Sequence, residues 1–221
     1  MKRDYIPALR FDGLTPWYDR FMARLCSEAR FKGELVGQAH LQPGQRVLDL
    51  GCGTATLTLL IQQGQPEAEV YGVDVDPGVL AIARRKVREA DVDIGLELAT
   101  ATQLPYRDGS FHHVFVSLVL HHLNRDDKRR ALDEIFRVLK LGGELHVIDF
   151  GSPADLRAYL ISLVTRWFEE IDDHIRGLLP AFLSDAGFRS VAETARYATV
   201  SGTFRSYRAH KRGRRPVRAS E

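Results

Sequence analysis

The sequence predicts an α/β protein in which a mostly parallel sheet is covered by helices on both faces. Three observations carry that reading. Short apolar runs, Val47 to Leu50, Val70 to Val73 and Val114 to Leu120, have the character of strands buried on both sides. They alternate with stretches of helical periodicity, the pattern of a parallel sheet with crossover helices. The first run also stops abruptly at Gly51 and Gly53, one residue apart. Glycine turns the backbone through positive φ and carries no Cβ to hold a ligand away. The apolar residues that follow, Leu57, Leu59, Leu60 and Ile61, begin a helix, and a strand, glycine turn and helix make half of a nucleotide site.

What the turn lacks narrows the nucleotide. A dinucleotide fingerprint beginning at Gly51 requires glycine at position 56, where Thr56 stands. Asp49, at the strand's end, would repel a pyrophosphate but can accept hydrogen bonds from a cationic amino group. Downstream, Val70–Tyr71–Gly72–Val73–Asp74 is a second apolar strand ending in an acid, at the distance expected of a carboxylate that grips ribose hydroxyls. S-adenosylmethionine has an amino acid end, a sulfonium and a ribose, and so suits both acids. A nicotinamide dinucleotide fits less well, given Thr56 and Asp49.

Four segments then resemble the ordered motifs of class I S-adenosylmethionine-dependent methyltransferases: Val47 to Ala55, Tyr71 to Asp74, Leu104 to Phe111 and Leu139 to His146. They are most similar to the small-molecule branch that contains the ubiquinone and menaquinone biosynthesis enzymes. The resemblance covers roughly residues 15 to 210. It implies a Rossmann-like, seven-stranded, mostly parallel sheet with an antiparallel C-terminal edge hairpin and a helical N-terminal cap. It also implies a cofactor site in which Asp49, Gly51, Cys52 and Gly53 receive the methionine end and Asp74 holds the ribose. Val75, Ala101 and Thr102 would flank the adenine, with Ser117 near the cofactor's centre. Two positions depart from the family pattern. Thr100 replaces an acid beside the adenine, and Ala55 stands where a third glycine is common, which a methyl group tolerates unless φ is positive.

The remaining elements follow in order. Residues 14 to 40 read as the helical cap, with Trp17, Phe21, Leu25, Phe31, Leu35 and Val36 at helical spacing. Asp76 caps a helix with Pro77 at its first position and Leu80, Ala83 and Val87 inward. The basic string Arg84 to Arg88 on that helix reads as a solvated face, so no nucleic-acid partner is expected. Ile94 to Leu98 is a third strand. Asn124 precedes a helix carrying Ala131, Leu132, Ile135, Val138 and Leu139, ended by Gly142–Gly143, and Glu144 to Phe150 is the next strand. Residues 152 to 177 read as a long amphipathic helix, placed where the family shapes its acceptor pocket. Ala181 to Gly187 is a short helix, and Val191–Val200 with Thr203–His210 a closing hairpin.

Methyl transfer from a sulfonium is an in-line displacement, so alignment in a dry pocket can supply much of the rate. A general base is needed only if the acceptor must lose a proton. Tyr18, His121 and His174 are the candidates for that role. For His121 and His122 the blander expectation is one ring bonded to the backbone and one exposed. Lys32 falls near a basic residue of the family. His112 and His113, at the far end of their strand, are assigned no catalytic role. The acids around His174 (Glu169, Glu170, Asp172, Asp173) point in several directions on a helix, so a solvated face is expected there and no metal.

Composition agrees with one ordinary globular domain over residues 1–210. Hydrophobic residues make up 44% and charged residues 27%, and no apolar run reaches the length of a membrane span. Two cysteines, Cys26 and Cys52, give neither a disulfide framework nor metal-ligand spacing, which suits the cytoplasm. Residues 211–221 form a basic tail expected to be disordered. The acceptor is expected to be a small molecule, hydrophobic or aromatic in character. A non-catalytic protein that binds the same adenosyl ligands is the alternative from a different functional class, since binding motifs alone do not demonstrate turnover.

Overall fold

A computed structural model of the chain describes residues 28–153, 172–199 and 202–212. Its centre is a seven-stranded sheet: β1 (Arg46–Leu50), β2 (Glu69–Asp74), β3 (Ile94–Leu98), β4 (Phe111–Ser117), β5 (Leu139–Phe150), β6 (Arg189–Thr199) and β7 (Gly202–His210). The spatial order is β3-β2-β1-β4-β5-β7-β6. The first five strands are mutually parallel, and β7 joins antiparallel to both β5 and β6. Strand order reverses between β1 and β4, so a crevice opens at their carboxyl ends, where sheets of this kind bind ligands.

Two helical layers cover the sheet. One face packs against α1 (Glu28–Gly37), α2 (Thr56–Gly64) and α3 (Pro77–Glu89), burying Phe31, Leu35, Ile61, Ala83, Phe115 and Phe204 in one cluster. The other face holds Leu48, Leu50, Val114 and Val116 against α4 (Arg125–Val138) and α6 (Leu179–Asp185). A four-residue helix, α5 (Asp172–Ile175), precedes α6. The alternation of buried residues to opposite faces follows from the two-residue period of a strand. Within the cap expected at 14–40, α1 docks by inserting Phe31 edge-on to Phe204, their centroids 5.7 Å apart. The Tyr197 hydroxyl donates to Glu34 across the same seam at 2.7 Å. Residues 14–27, with Tyr18, lie outside the described residues.

Capping chemistry sets the helix starts. Asp76 accepts from the Gly78 and Val79 amides ahead of α3, and Asn124 accepts from those of Asp126 and Asp127 ahead of α4. The expected end of α4 is corrected. Leu139 is extended (φ −68, ψ 141) and pairs with Phe111, so β5 begins there and not at Glu144. Gly142 and Gly143 do not end a helix; they sit in a register shift, in which the step from Phe111 to His113 on β4 is matched by Leu139 to Glu144 on β5. A side chain on Gly143 would stand 2.9 Å from two backbone carbonyls, which is why this bulge takes glycine. Lys211, expected in the tail, is instead latched to the bulge: its amide donates to the Gly143 carbonyl at 2.9 Å and its Nζ to that of Leu139 at 2.7 Å. Most of the long helix expected at 152–177 falls outside the described residues. No helix among the described residues is long and apolar enough to cross a membrane.

The glycine turn has two separable requirements. Gly51 has φ +70, and a Cβ on it would lie 2.3 Å from Val119 Cγ2, whereas Gly109 has φ +63 with no neighbour within 4 Å. Gly109→Ala should therefore cost only the left-handed strain, about 1–2 kcal/mol. Gly51→Ala should add an overpacking cost of about 1–3 kcal/mol. Urea denaturation of both variants checks the difference, and equal losses would show that Val119 moves aside freely.

Candidate active site

At the carboxyl ends of β1, β2 and β4 the turn residues are held from beneath. The Gly51 and Cys52 amides both donate to the Val73 carbonyl, at 2.8 and 2.9 Å. Cys52 is buried, and the space it needs explains Gly72: a Cβ there would meet Cys52 at 3.0 Å and Leu96 at 2.8 Å. Burial also pushes the Cys52 thiol far above its ordinary range, so it fills the turn as an inert side chain. Ala55 has φ +65, so this position does require positive φ and alanine occupies it under strain.

The acids divide into two roles. Asp74 is half-buried and accepts from the Gly53 amide (2.9 Å) and the Asp76 amide (3.0 Å), one through each oxygen. It therefore ties the glycine turn to the end of β2, and each oxygen retains a lone pair for a ligand hydroxyl. Asp49, by contrast, is 1% exposed and accepts a 2.6 Å hydrogen bond from the Thr58 hydroxyl. Burial pushes its pKa up to about 6, opposed by the Thr58 bond and the Lys32 charge. Asp49 thus lies under the turn, not open to the crevice.

Around the rim, Val75 is 39% exposed for a residue of its size and presents an apolar surface beside Asp74. Ala101 and Thr102 are half-buried in the loop after β3, where the Thr100 and Thr102 hydroxyls lie 3.2 Å apart. At the end of β4, the Ser117 hydroxyl is buried and has no hydrogen-bond partner among the described residues. A buried, orphaned hydroxyl at the carboxyl end of a central strand is an expected feature of a site shaped for a polar ligand. The turn, the Asp74 carboxylate, the exposed valine and this hydroxyl together fit an adenosyl ligand.

Beside Ser117 stands a buried group that sequence reasoning missed. Asp149, fully buried near the end of β5, accepts from His121 Nδ1 at 2.7 Å, from the Leu120 amide at 2.8 Å and from the Phe150 amide at 2.8 Å. Burial alone would raise its pKa, but the His121 and His174 imidazoles and these hydrogen bonds outweigh it and hold the carboxyl well below its usual range. The expectation that one of His121 and His122 would bond to backbone is therefore corrected: His121 is 3% exposed and bonds to a carboxylate. Its partner His122 is half-buried, with a pKa pushed down to about 3 by burial and then by His121. No local sequence signal marks Asp149, which sits in an apolar strand 28 residues from His121.

His174 also reaches this cluster, its Nδ1 donating to the Phe150 carbonyl at 3.0 Å and lying 3.9 Å from Asp149. Of the solvated face expected around it, Glu169 and Glu170 lie outside the described residues, while Asp173 and His174 are buried. His174 is 2% exposed, and Asp173 is clamped by Arg125 and by buried Lys128 from α4. Those two cations neutralise the Asp173 carboxylate beside the buried histidine.

Comparison with known proteins agrees with this arrangement. A family model described as a methyltransferase domain matches residues 47–143. The demethylmenaquinone methyltransferase of Thermus thermophilus is 34% identical over 172 residues, covering 76% of each chain. That of Listeria welshimeri is 31% identical over 176 residues, covering 78% of this chain and 70% of its own. Among solved structures, an S-adenosylmethionine-dependent methyltransferase from Methanosarcina mazei superposes with a TM-score of 0.68 at 20% identity, over 80% of this chain and 97% of that one.

Asp49 supplies a prediction with a definite sign. Its folded pKa of about 6 lies above the ordinary 3.8, so the native state holds its proton longer than the unfolded chain does. Its contribution is then lost as pH rises from about 4 to about 6, and above that its ionisation costs about 3 kcal/mol. Asp49→Asn should be more stable than wild type at pH 8, with the gap about halved at pH 5 and closing below about pH 4, as read by urea denaturation. A variant less stable at both values would show that the carboxylate is compensated by a partner stronger than Thr58 and Lys32.

Proposed function

Since the chain belongs to the class I S-adenosylmethionine-dependent methyltransferases, in the branch with the menaquinone and ubiquinone enzymes, we propose that its acceptor is a reduced, quinol-type aromatic ring activated by His121. It is an enzyme that uses S-adenosylmethionine as methyl donor and acts on a small molecule. When bound, the sulfonium supplies an electrophilic methyl group; the chain's own residues hold the donor, exclude water and manage the acceptor's proton.

The observation that carries this reading is the His121–Asp149 pair beside Ser117. Asp149 is ionised and anchored by two backbone amides, so its Oδ1 requires a proton on His121 Nδ1. Neutral His121 then has its lone pair on Nε2, and a phenolic hydroxyl reaching it loses its proton there. The proton stays on the imidazole, stabilised by the Asp149 charge, while the ring oxygen's negative charge raises the nucleophilicity of the ring. His174, its Nδ1 proton committed to the Phe150 carbonyl, also carries its lone pair on Nε2 and stands second for the same role. The quinol class rests on the relatives' substrate.

The donor site follows the same logic. Asp74 would accept from the ribose hydroxyls while remaining bonded to Gly53, Val75 would cover one adenine face with Ala101 and Thr102 beside it, and Gly51, Cys52 and Gly53 would border the methionine end. The Ser117 hydroxyl would acquire the partner it lacks. Asp49 would act at one remove, through the field it adds beneath the turn.

Calorimetric titration with S-adenosylmethionine, S-adenosylhomocysteine and NAD should give saturable binding of the two adenosyl ligands only, lost in Asp74→Ala. A chemically reduced demethylmenaquinone analogue with a short side chain should then be methylated. His121→Gln should lower kcat by about 10²–10⁴-fold with S-adenosylhomocysteine affinity unchanged, and should remove the acidic limb of the pH–rate profile. Unchanged turnover in that variant would exclude His121 as the base. Binding without methylation of any quinol would remove the acceptor class and leave the donor site standing.

A further inference from the structure

At the end of the sheet away from the glycine turn, a second cluster of ionisable side chains has no part in methyl transfer. Register places His113 of β4 beside Glu144 of β5, and Glu144 beside His210 of β7, with His146 two residues along β5 on the same face. His113 and His146 are 6% and 1% exposed. His113 Nδ1 lies 3.2 Å from His146 Nε2, and that same nitrogen lies 3.4 Å from Glu144 Oε2. Ligands held 2.0–2.1 Å from a tetrahedral zinc ion are about 3.3 Å from one another. These two edges have the lengths of a metal's coordination sphere, and one ligand atom from each residue falls within 4.8 Å of the others; the two rings, with centroids 5.5 Å apart, meet nitrogen to nitrogen in line and would tilt to converge on an ion.

The tautomer of His113 is set from outside the cluster. Gln45 Oε1 accepts the Gln42 amide at 2.8 Å, which identifies it as the oxygen, and it faces His113 Nε2 at 3.1 Å. His113 Nε2 must then donate, leaving the lone pair on Nδ1, directed at His146. Such an outer partner, fixing ring and tautomer, is what metal-ligating histidines possess. Glu144 is held below the usual carboxylate range, chiefly by its bond to His146. Without an ion, the one hydrogen on His146 Nε2 serves both an imidazole and a carboxylate.

We propose that His113 Nδ1, His146 Nε2 and the Glu144 carboxylate bind a divalent transition-metal ion of the zinc class, with Gln45 as the outer partner that orients His113. Two imidazoles and one carboxylate suit zinc, cobalt and nickel better than magnesium or calcium. Entry is from the half-buried side, where Glu144 and His210 reach the surface. Arg208, paired with His146 in the β5–β7 register, adds a positive charge nearby that opposes a cation. The ion would tie β4 to β5 and, through Gln45, to the residue preceding β1.

The test uses the full, untagged chain, stripped with chelator and titrated with Zn²⁺ by calorimetry and with Co²⁺ by visible absorption. One equivalent should bind, with the d–d bands of a four- or five-coordinate Co²⁺ site carrying nitrogen ligands. His146→Gln should abolish uptake, and Gln45→Ala should weaken it by about 10-fold or more. If His146→Gln does not fold, Glu144→Gln at its half-buried position carries the test through the same loss. No saturable uptake by wild type would show a hydrogen-bonded histidine pair and overturn the proposal. So would uptake that survives Glu144→Gln, or that disappears in His174→Gln, because the ion would then sit in the His121–His174 cluster.

Discussion

The carboxylate of Asp149 is the constraint on which the catalytic end of the sheet depends. A fully buried charge is tolerated only when its lone pairs are used. Here they hold the amide that opens the turn after β4, the amide that follows on β5, and the ring of His121. The turn in question begins at Leu118, a branched apolar residue at φ +57, and continues through Val119, whose side chain fills the space above Gly51. One carboxylate therefore couples the position of the candidate base to the packing of the glycine turn on the neighbouring strand. Removing it would release a loop, a histidine and a turn together, not a single contact.

Much of this end of the molecule is locally unfavourable. Ala55 and Leu118 occupy a backbone region that suits glycine, Ser117 buries a hydroxyl with no described partner, and Asp49 sits in a pocket that opposes its ionisation. Each departs from what packing alone would select, and they gather within a few residues of the strands' carboxyl ends. Similar departures occur elsewhere too: His40, Asp91 and Ser190 have positive φ, and Gln62 Oε1 and the Tyr106 hydroxyl are buried with no hydrogen-bond partner among the described residues. At the carboxyl ends these departures lie beside the glycine turn, where a strained backbone and an unmet hydroxyl are positioned to be satisfied by a ligand.

What could be read from the sequence was local. Glycine spacing, apolar runs and capping residues located the turn after β1, the acid ending β2 and the helices opened by Asp76 and Asn124, because each signal lies within a few consecutive residues. The carboxylate at Asp149 was not legible, since an acid inside an apolar strand is unremarkable until register puts it against a histidine on another strand. Register also hid the pairing of His113 with His146, which are 33 residues apart. The start of β5 was missed for a related reason. Leu139 continues the helical spacing of α4, and only its pairing with Phe111 reveals that the chain has already turned extended. The strain at Ala55 was foreseen as a condition and needed the backbone angle to be decided.

The position of β7 has a consequence for how the chain is made. β7 follows β6 in sequence but lies between β6 and β5, so β2 to β5 each find a neighbour already synthesised, whereas β6 and the free edge of β5 both wait for β7. That edge stays open while roughly fifty further residues leave the ribosome, with its hydrogen-bonding groups exposed to any strand that passes. Glu144 to Phe150 pair with β7 in unbroken register, and the Gly142–Lys211–Gly143 bonds extend the ladder, so that edge is a continuous template for any strand until residues 202 to 211 arrive to close it.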